Sequence, residues 1–312
     1  MQKQLLIILF SAFFSNFLFA QQNLPVKYKN FVFKNVNVQK NISYNNAIKK
    51  GIKAKYYLLD FYEPSADTAL RRPLIIWMHG GGFKFGSKNA NGTPLWSKSF
   101  AKRGFVCAAI NYRLSKKKPL AKFPDLVEGC YDAIEDLKTA VAFFKKNYSV
   151  YKIDTNRIIL GGNSAGGIMA MQAVYSSSND LQKLFNNDSA ANYSNAINPM
   201  HIAAIINFWG AIFNTYWLKN TNIPIVSAQG TRDRIVPFEH RDIPLYGTNA
   251  IHKKADLLHI PNELKTFEGY GHELHKHFIP FFAGSGTKKR WREAEQFAAD
   301  FLYEQLFRKN LF

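Results

Sequence analysis

The strongest constraint on the fold is an alternation of two hydrophobic periods along the chain. Short apolar runs at residues 74–79, 105–111, 157–160, 202–208, 223–229 and 263–267 are separated by stretches of helical period. Most of these runs lack polar and apolar alternation, which suits strands buried on both faces of a parallel sheet. Two earlier runs, 31–38 and 53–62, bring the expected number of strands to eight. Between them, Val127, Cys130, Ile134, Leu137, Val141 and Phe144 recur at steps of three and four, one apolar stripe of a helix. A final helix repeats the pattern with Trp291, Ala294, Phe297, Ala298, Phe301 and Leu302. No internal repeat or linker divides the chain. The reading is a single α/β domain whose first strands are antiparallel and whose remainder is doubly wound.

Composition agrees with that reading and excludes others. The 312 residues are 47% hydrophobic and 20% charged, a globular balance that leaves no case for a disordered or fibrous chain. The net charge of +19 comes from 30 Lys and 11 Arg spread along the whole sequence in pairs and triplets. A nucleic-acid binder would cluster them on one recognisable module. Here they read as a solvated Lys-rich surface, and no nucleic-acid partner is expected. Two cysteines cannot build a disulfide framework or a four-thiolate zinc site. Cys107 falls in a strand and Cys130 on a helical apolar stripe, so both are expected as buried, unpaired thiols.

Residues 1–20 are set apart from the fold. Lys3 gives a positive start, an apolar stretch follows, and Ala20 precedes a polar Gln21-Gln22-Asn23. This is the pattern of a secretory signal peptide. The stretch is short for a membrane span and broken by Ser11, Ser15 and Asn16, so no stable membrane anchor is expected. The catalytic domain would then run over residues 21–312, secreted or periplasmic. Within it, residues 176–201 hold eleven Ser or Asn, a surface excursion or a mobile rim.

Chemistry concentrates in residues 157–167, where an apolar strand runs into Gly161-Gly162-Asn163-Ser164-Ala165-Gly166-Gly167. The G-x-S-x-G spacing falls at a strand-to-helix junction. So abrupt a turn forces the serine into a strained conformation, and side chains two positions either way would collide. The Ser164 hydroxyl would then stand clear of the sheet at a helix N-terminus, where the dipole favours developing negative charge.

A second glycine cluster, His79-Gly80-Gly81-Gly82-Phe83, follows the strand at 74–78. Glycines let backbone N–H groups approach a substrate oxygen closely, and a tetrahedral oxyanion needs two or three such donors. Gly81, Gly82 and Ala165, the residue after the serine, are the candidates. A phosphate loop would need a Lys-Ser/Thr ending or G-x-G-x-x-G spacing, and neither is present. His79 reads as a brace for this loop.

The pairing of His79-Gly80-Gly81-Gly82 with Gly162-Asn163-Ser164-Ala165-Gly166-Gly167 resembles the α/β-hydrolase superfamily. Within it, the chain is similar to the carboxylesterase branch related to hormone-sensitive lipase and to bacterial acyl and feruloyl esterases. The resemblance runs through Asn111-Tyr112-Arg113-Leu114 and Phe123-Pro124-Asp125 to the final helix. It implies the α/β-hydrolase fold with a mostly parallel eight-stranded sheet, no cofactor or metal, and a triad in the chain order Ser, acid, His.

Two residues fit that order. Asp233 follows the strand at 223–229 directly, where such sheets place their sites; Glu239 and Asp242 are rivals further into the loop. His272 leaves the last strand through Glu268-Gly269-Tyr270-Gly271, with His275 and His277 as competitors. Phe83, Trp209 and Phe238 adjoin these motifs and are expected to wall the substrate pocket, whereas Phe85, Trp96 and Tyr112 fit core packing as well.

Few residues separate Trp209 from the acid, and about thirty residues after the leader precede the strand at 53, so a large cap has no room. That departure from the hormone-sensitive-lipase branch implies an open pocket for short acyl chains or bulky alcohols, with the apolar segment 278–282 as a flap or rim. The resulting expectation is a secreted serine esterase acting on short acyl, acetyl or aryl esters, including those on polysaccharide. A lipase, a serine peptidase on the same fold and a non-catalytic hydrolase-fold binding module are the rivals.

Overall fold

The computed structural model describes residues 26–45, 50–90, 92–186, 200–241, 244–277 and 283–308. The leader at 1–20, the apolar segment 278–282, Asp242 and residues 187–199 of the Ser/Asn-rich excursion lie outside them.

Eight strands form one sheet: β1 (Val36–Ser43), β2 (Leu58–Pro64), β3 (Arg72–Met78), β4 (Val106–Ile110), β5 (Ile153–Asn163), β6 (Ile202–Phe208), β7 (Ile225–Gly230) and β8 (Asn262–Phe267). Their spatial order is β1-β2-β4-β3-β5-β6-β7-β8. The β1/β2 and β2/β4 pairs are antiparallel, and every other neighbour is parallel. This is the α/β-hydrolase arrangement expected from the motifs.

Among the described residues, six α-helices join the strands: α1 (Gly92–Lys102), α2 (Phe123–Lys146), α3 (Ala165–Tyr175), α4 (Ser178–Asn186), α5 (Thr248–Leu257) and α6 (Ser285–Tyr303). The two-residue pleat divides each buried strand between two apolar layers. Leu74, Ile76 and Met78 of β3 face α2 to α5, while Ile75 and Trp77 face α1 and α6. No polar face remains on these strands, so periodicity alone could not tell them from buried helix.

The same alternation explains the thiols. Cys107 points into the α1/α6 layer and Cys130 lies in the α2 layer, with the sheet between them. Both are free and buried, and burial pushes both thiols well up from their ordinary range.

The first two strands begin later than the β-type runs suggest. Val32 and Phe33 donate to the Lys102 carbonyl at 2.9 and 3.0 Å, tying that segment to the end of α1 and not to the sheet edge. Residues Ala54–Tyr57 coil into a 3₁₀ turn before β2. β5 begins earlier, because Ile153 pairs with Arg72 across a register shift.

Candidate active site

Four loops leave the carboxyl ends of parallel strands β3, β5, β7 and β8 and converge over the sheet. This is where open α/β sheets present their ligands. They carry Gly80 to Gly82, Ser164, Asp233 and His272 respectively.

Ser164 stands between the last residue of β5 and the first of α3, with φ 52° and ψ −120°. A non-glycine residue there is strained, and the surroundings hold it. Its N–H donates to the Phe208 carbonyl at 2.9 Å, and its own carbonyl accepts from Ile168 at 2.9 Å, the first bond of α3. The flanking glycines are demanded by contact. A Cβ on Gly162 would lie 2.2 Å from the Gly166 carbonyl carbon, and one on Gly166 would lie 2.1 Å from the Met78 oxygen. The helix can start this close to β3 and β5 only without those side chains.

The His272 Nε2 is 2.9 Å from the Ser164 Oγ, and its Nδ1 is 2.8 Å from Asp233 Oδ2. Gln229 also donates to Oδ2, at 3.3 Å. The other carboxylate oxygen accepts the N–H groups of Ile235 and Val236 at 2.9 and 3.0 Å. Asp233 is thus oriented by its own loop, which fixes the imidazole ring with Nε2 toward the serine. All three side chains are buried. The rivals sit elsewhere: Glu239 is paired with Lys253 at the surface, His277 is exposed, and His275 packs beside Trp291.

The glycine loop after β3 turns on Gly81, whose carbonyl accepts from Lys84 and Phe85, both at 3.0 Å. Gly81 has φ +110°, and a Cβ there would meet the Phe85 oxygen at 2.3 Å. His79 stacks on Tyr112 at 4.2 Å between ring centroids, and its carbonyl accepts the Tyr112 hydroxyl at 2.7 Å. Its Nδ1 is 2.7 Å from the Gly80 carbonyl oxygen. Burial lowers the His79 pKa to about 4, so the ring stays neutral and braces the loop. Gly81 and Gly82 line the cavity in front of Ser164. Ala165 is buried behind it as the first residue of α3, a position whose N–H has no intrahelical acceptor.

That cavity has a volume of about 450 Å³. Its walls correct the expected aromatic pocket. Phe83 is fully buried, tilted against Tyr112 and close under Gly129. Trp209 is equally buried, stacked on Phe208 and Trp291 and tilted against Trp96. The Trp209 backbone continues the β6 ladder to Ala228, which turns its ring into the α1/α6 layer. Phe238 is partly buried beyond the acid loop and does not line the cavity. The walls are instead Phe85, Leu120, Ile235, Glu273 and Trp291. Ile235 and Glu273 each lie within two residues of a triad candidate, a proximity that could have drawn notice. Leu120 stands alone in a Lys-rich loop, with nothing in the sequence to single it out.

The arrangement provides a serine hydroxyl, an imidazole able to take its proton, a carboxylate holding that imidazole, and glycine N–H groups beside the serine. Such a set is suited to acyl transfer through a covalent intermediate.

Comparison with known proteins follows the same lines. The chain is 31% identical over 108 residues to gut esterase 1 of Caenorhabditis elegans, covering 35% of this chain and 19% of that protein. It is 29% identical over 192 residues to arylacetamide deacetylase of Bos taurus, covering 54% of this chain and 46% of the relative. The chain therefore spans less than half the length of these relatives. Among solved structures, esterase 2 of Thermogutta terrifontis with propionate bound superposes with a TM-score of 0.58 at 21% identity, over 87% of this chain and 95% of that one. The same enzyme phosphorylated by paraoxon superposes equally well, with a TM-score of 0.58 at 21% identity over 87% of this chain and 95% of that one. These likenesses show the fold. The BD-FAE family profile matches residues 59–214, half of the chain, from β2 past the serine elbow to the loop after β6; the chain is a member of the BD-FAE family, built on the α/β-hydrolase fold.

Proposed function

We propose that this chain is a serine esterase that hydrolyses carboxylic esters through an acyl-enzyme intermediate. The observation that carries the reading is the unbroken hydrogen-bonded chain Ser164–His272–Asp233 opening onto a cavity lined by Gly81 and Gly82. His272 Nε2 takes the proton of Ser164 as the Oγ attacks the ester carbonyl. The N–H groups of Gly81, Gly82 and Ala165 receive the oxyanion, and Asp233 stabilises the imidazolium. His272 then gives the proton to the departing alcohol. Water repeats the sequence in the deacylation half, releasing the acid and restoring the serine.

A cavity of about 450 Å³ suits short acyl or aryl groups better than long chains. The names of the relatives support the class, as a gut esterase and an arylacetamide deacetylase. Acetyl or feruloyl esters on polysaccharide are the natural substrates we infer, which accords with the export proposed from residues 1–20.

The test is hydrolysis of p-nitrophenyl esters from acetate to palmitate by the wild type and by Ser164→Ala. Activity that is highest on short chains and vanishes with the serine is expected. A folded wild type that is inactive on every ester and unlabelled by a fluorophosphonate would sink the proposal.

A further inference from the structure

Among the described residues that line the cavity, Glu273 is the one ionisable group besides His272, among walls otherwise made of glycines, apolar groups and small polar ones. Its backbone has φ 54° and ψ 23°, and Leu274 after it also has a positive φ of 60°. The left-handed region costs a residue of this kind about 1 kcal/mol or more, so neighbouring contacts must hold it there. Those contacts come from α6 and from the loop itself. Trp291 Nε1 donates to the Glu273 carbonyl at 2.8 Å, Arg290 Nε to the Leu274 carbonyl at 2.7 Å, and the Gly271 N–H to the His275 carbonyl at 2.8 Å. The backbone that carries this carboxylate at the cavity wall is therefore fixed, and only the side-chain torsions remain free.

The carboxylate retains bonding capacity. Its side chain is 23% exposed, and the distance from Oε2 to His275 Nε2, 3.8 Å, is beyond hydrogen bonding. Burial, together with the charge of Asp233, raises its pKa, with His272 pulling the other way. An opposite charge or a donor from a ligand would relieve that cost.

Its place relative to the reaction gives it a side. Leu120 lies against Gly82, so that wall flanks the oxyanion donors. Glu273 follows His272, whose Nε2 delivers the proton to the leaving alcohol. Both residues line the cavity, and the Glu273 carboxylate lies within electrostatic range of the His272 ring, which puts it on the side of the leaving alcohol in the proposed reaction. The contrast with the whole molecule is also informative: a net charge of +19 draws anions toward the surface, yet the cavity meets them with a carboxylate.

Resting on the esterase reading above, we propose that Glu273 determines alcohol specificity, accepting hydrogen bonds from hydroxyl-rich or ammonium-bearing alcohols and rejecting anionic ones. The reacting end of the substrate is thus neutral or cationic, even where the polymer that carries it is acidic.

The experiment compares kcat/KM for three acetate esters: those of choline, of its uncharged carbon analogue 3,3-dimethylbutanol, and of glycolate. The wild type should rank them cationic, neutral, anionic. Glu273→Gln, which keeps the shape, should compress both the cationic-to-neutral and the neutral-to-anionic ratio by about two- to fivefold, the range for a partly exposed charge contact. Equal ratios in wild type and variant would overturn the proposal, as would a wild type that turns over the glycolate ester as fast as the neutral one. The latter needs no variant, so a misfolded Glu273→Gln protein does not shield the idea. A wild type inactive on the neutral ester and unlabelled by a fluorophosphonate would instead bring down the esterase reading itself.

Discussion

Asp233 and His272 meet at 2.8 Å across 39 positions of sequence, and the carboxylate that makes this contact is held on its other oxygen by two backbone N–H groups of its own loop. The side chain cannot swing away, and in the proposed reaction its role is to fix which imidazole nitrogen carries the proton. Replacing it with Asn keeps the shape but offers an N–H where Nδ1 needs an acceptor. Asp233→Asn should therefore lower kcat by about 10³- to 10⁴-fold with little change in KM. Steady-state kinetics on a p-nitrophenyl ester measures this, and a loss under tenfold would remove Asp233 from the triad.

The meeting of Gly162 and Gly166 predicts a stability effect separable from catalysis. A methyl on Gly166 would press on the Met78 carbonyl at 2.1 Å, a backbone atom of β3 that cannot move without disturbing the central sheet. Gly166→Ala should cost at least about 1–3 kcal/mol by urea unfolding, the range for overpacking a tight core. Activity should fall with it, because the same contact sets the angle at which Ser164 leaves the sheet. An unchanged unfolding midpoint would mean that the elbow is looser than these distances.

Glycines were legible at this elbow because close packing leaves a specific mark: only one residue type survives a 2.1 Å approach. The strands were legible for a similar reason, since β3, β4 and β7 are buried on both faces and read as mostly apolar runs, with Arg72, Ser227 and Gln229 as buried polar exceptions. Asp233 and His272 follow strands, and the order of the sheet brings them to Ser164. The cavity walls were not legible. Phe83 and Trp209 stand next to the motifs in sequence, yet backbone direction sends their rings into the core. Leu120 and Phe85 reach the cavity from loops whose path depends on distant braces. One such brace is the buried Lys88–Asp60 pair at 2.7 Å, and another is the bond from the Lys88 N–H to Asn111 at 2.7 Å. Such paths leave no periodic trace in the sequence.

Phe85, Leu120 and Ile235 form a rim that is unusually open for large apolar groups, at 50%, 65% and 49% exposure. An acyl or aryl group entering the cavity covers part of that surface, gaining about 0.8 kcal/mol per buried methylene. Phe85→Ala and Leu120→Ala should each lower the butyrate-to-acetate ratio of kcat/KM by roughly threefold or more. Stability should stay within about 0.5 kcal/mol, since neither side chain supports the core. A ratio that does not move would assign the acyl group to another wall.

Arg103 and Glu295 offer a test of stability against pH far from the site. They join the end of α1 to α6, buried together with Nη1 and Oε1 2.6 Å apart but not aligned as a hydrogen bond. Arg103 is otherwise satisfied by the carbonyls of Lys29 and Ser99 and by Gln296. Burial raises the Glu295 carboxyl to about 7, with Arg103, Ser99 and Arg292 offsetting part of the cost. The folded state thus holds this proton more tightly than the unfolded chain, whose carboxyl has the ordinary value of 4.5. The ionisation penalty is absent below the unfolded value, grows as pH rises from there toward 7, and is fully present above. Glu295→Gln removes it while keeping shape and volume. The difference in Tm, variant minus wild type, should therefore become more positive from pH 5 to pH 8. The underlying change is of the order of a few kcal/mol, or several degrees for a domain of this size. A difference that is flat with pH would mean that Arg103 holds Glu295 ionised throughout, and that the pair is a true buried salt bridge whose loss only destabilises.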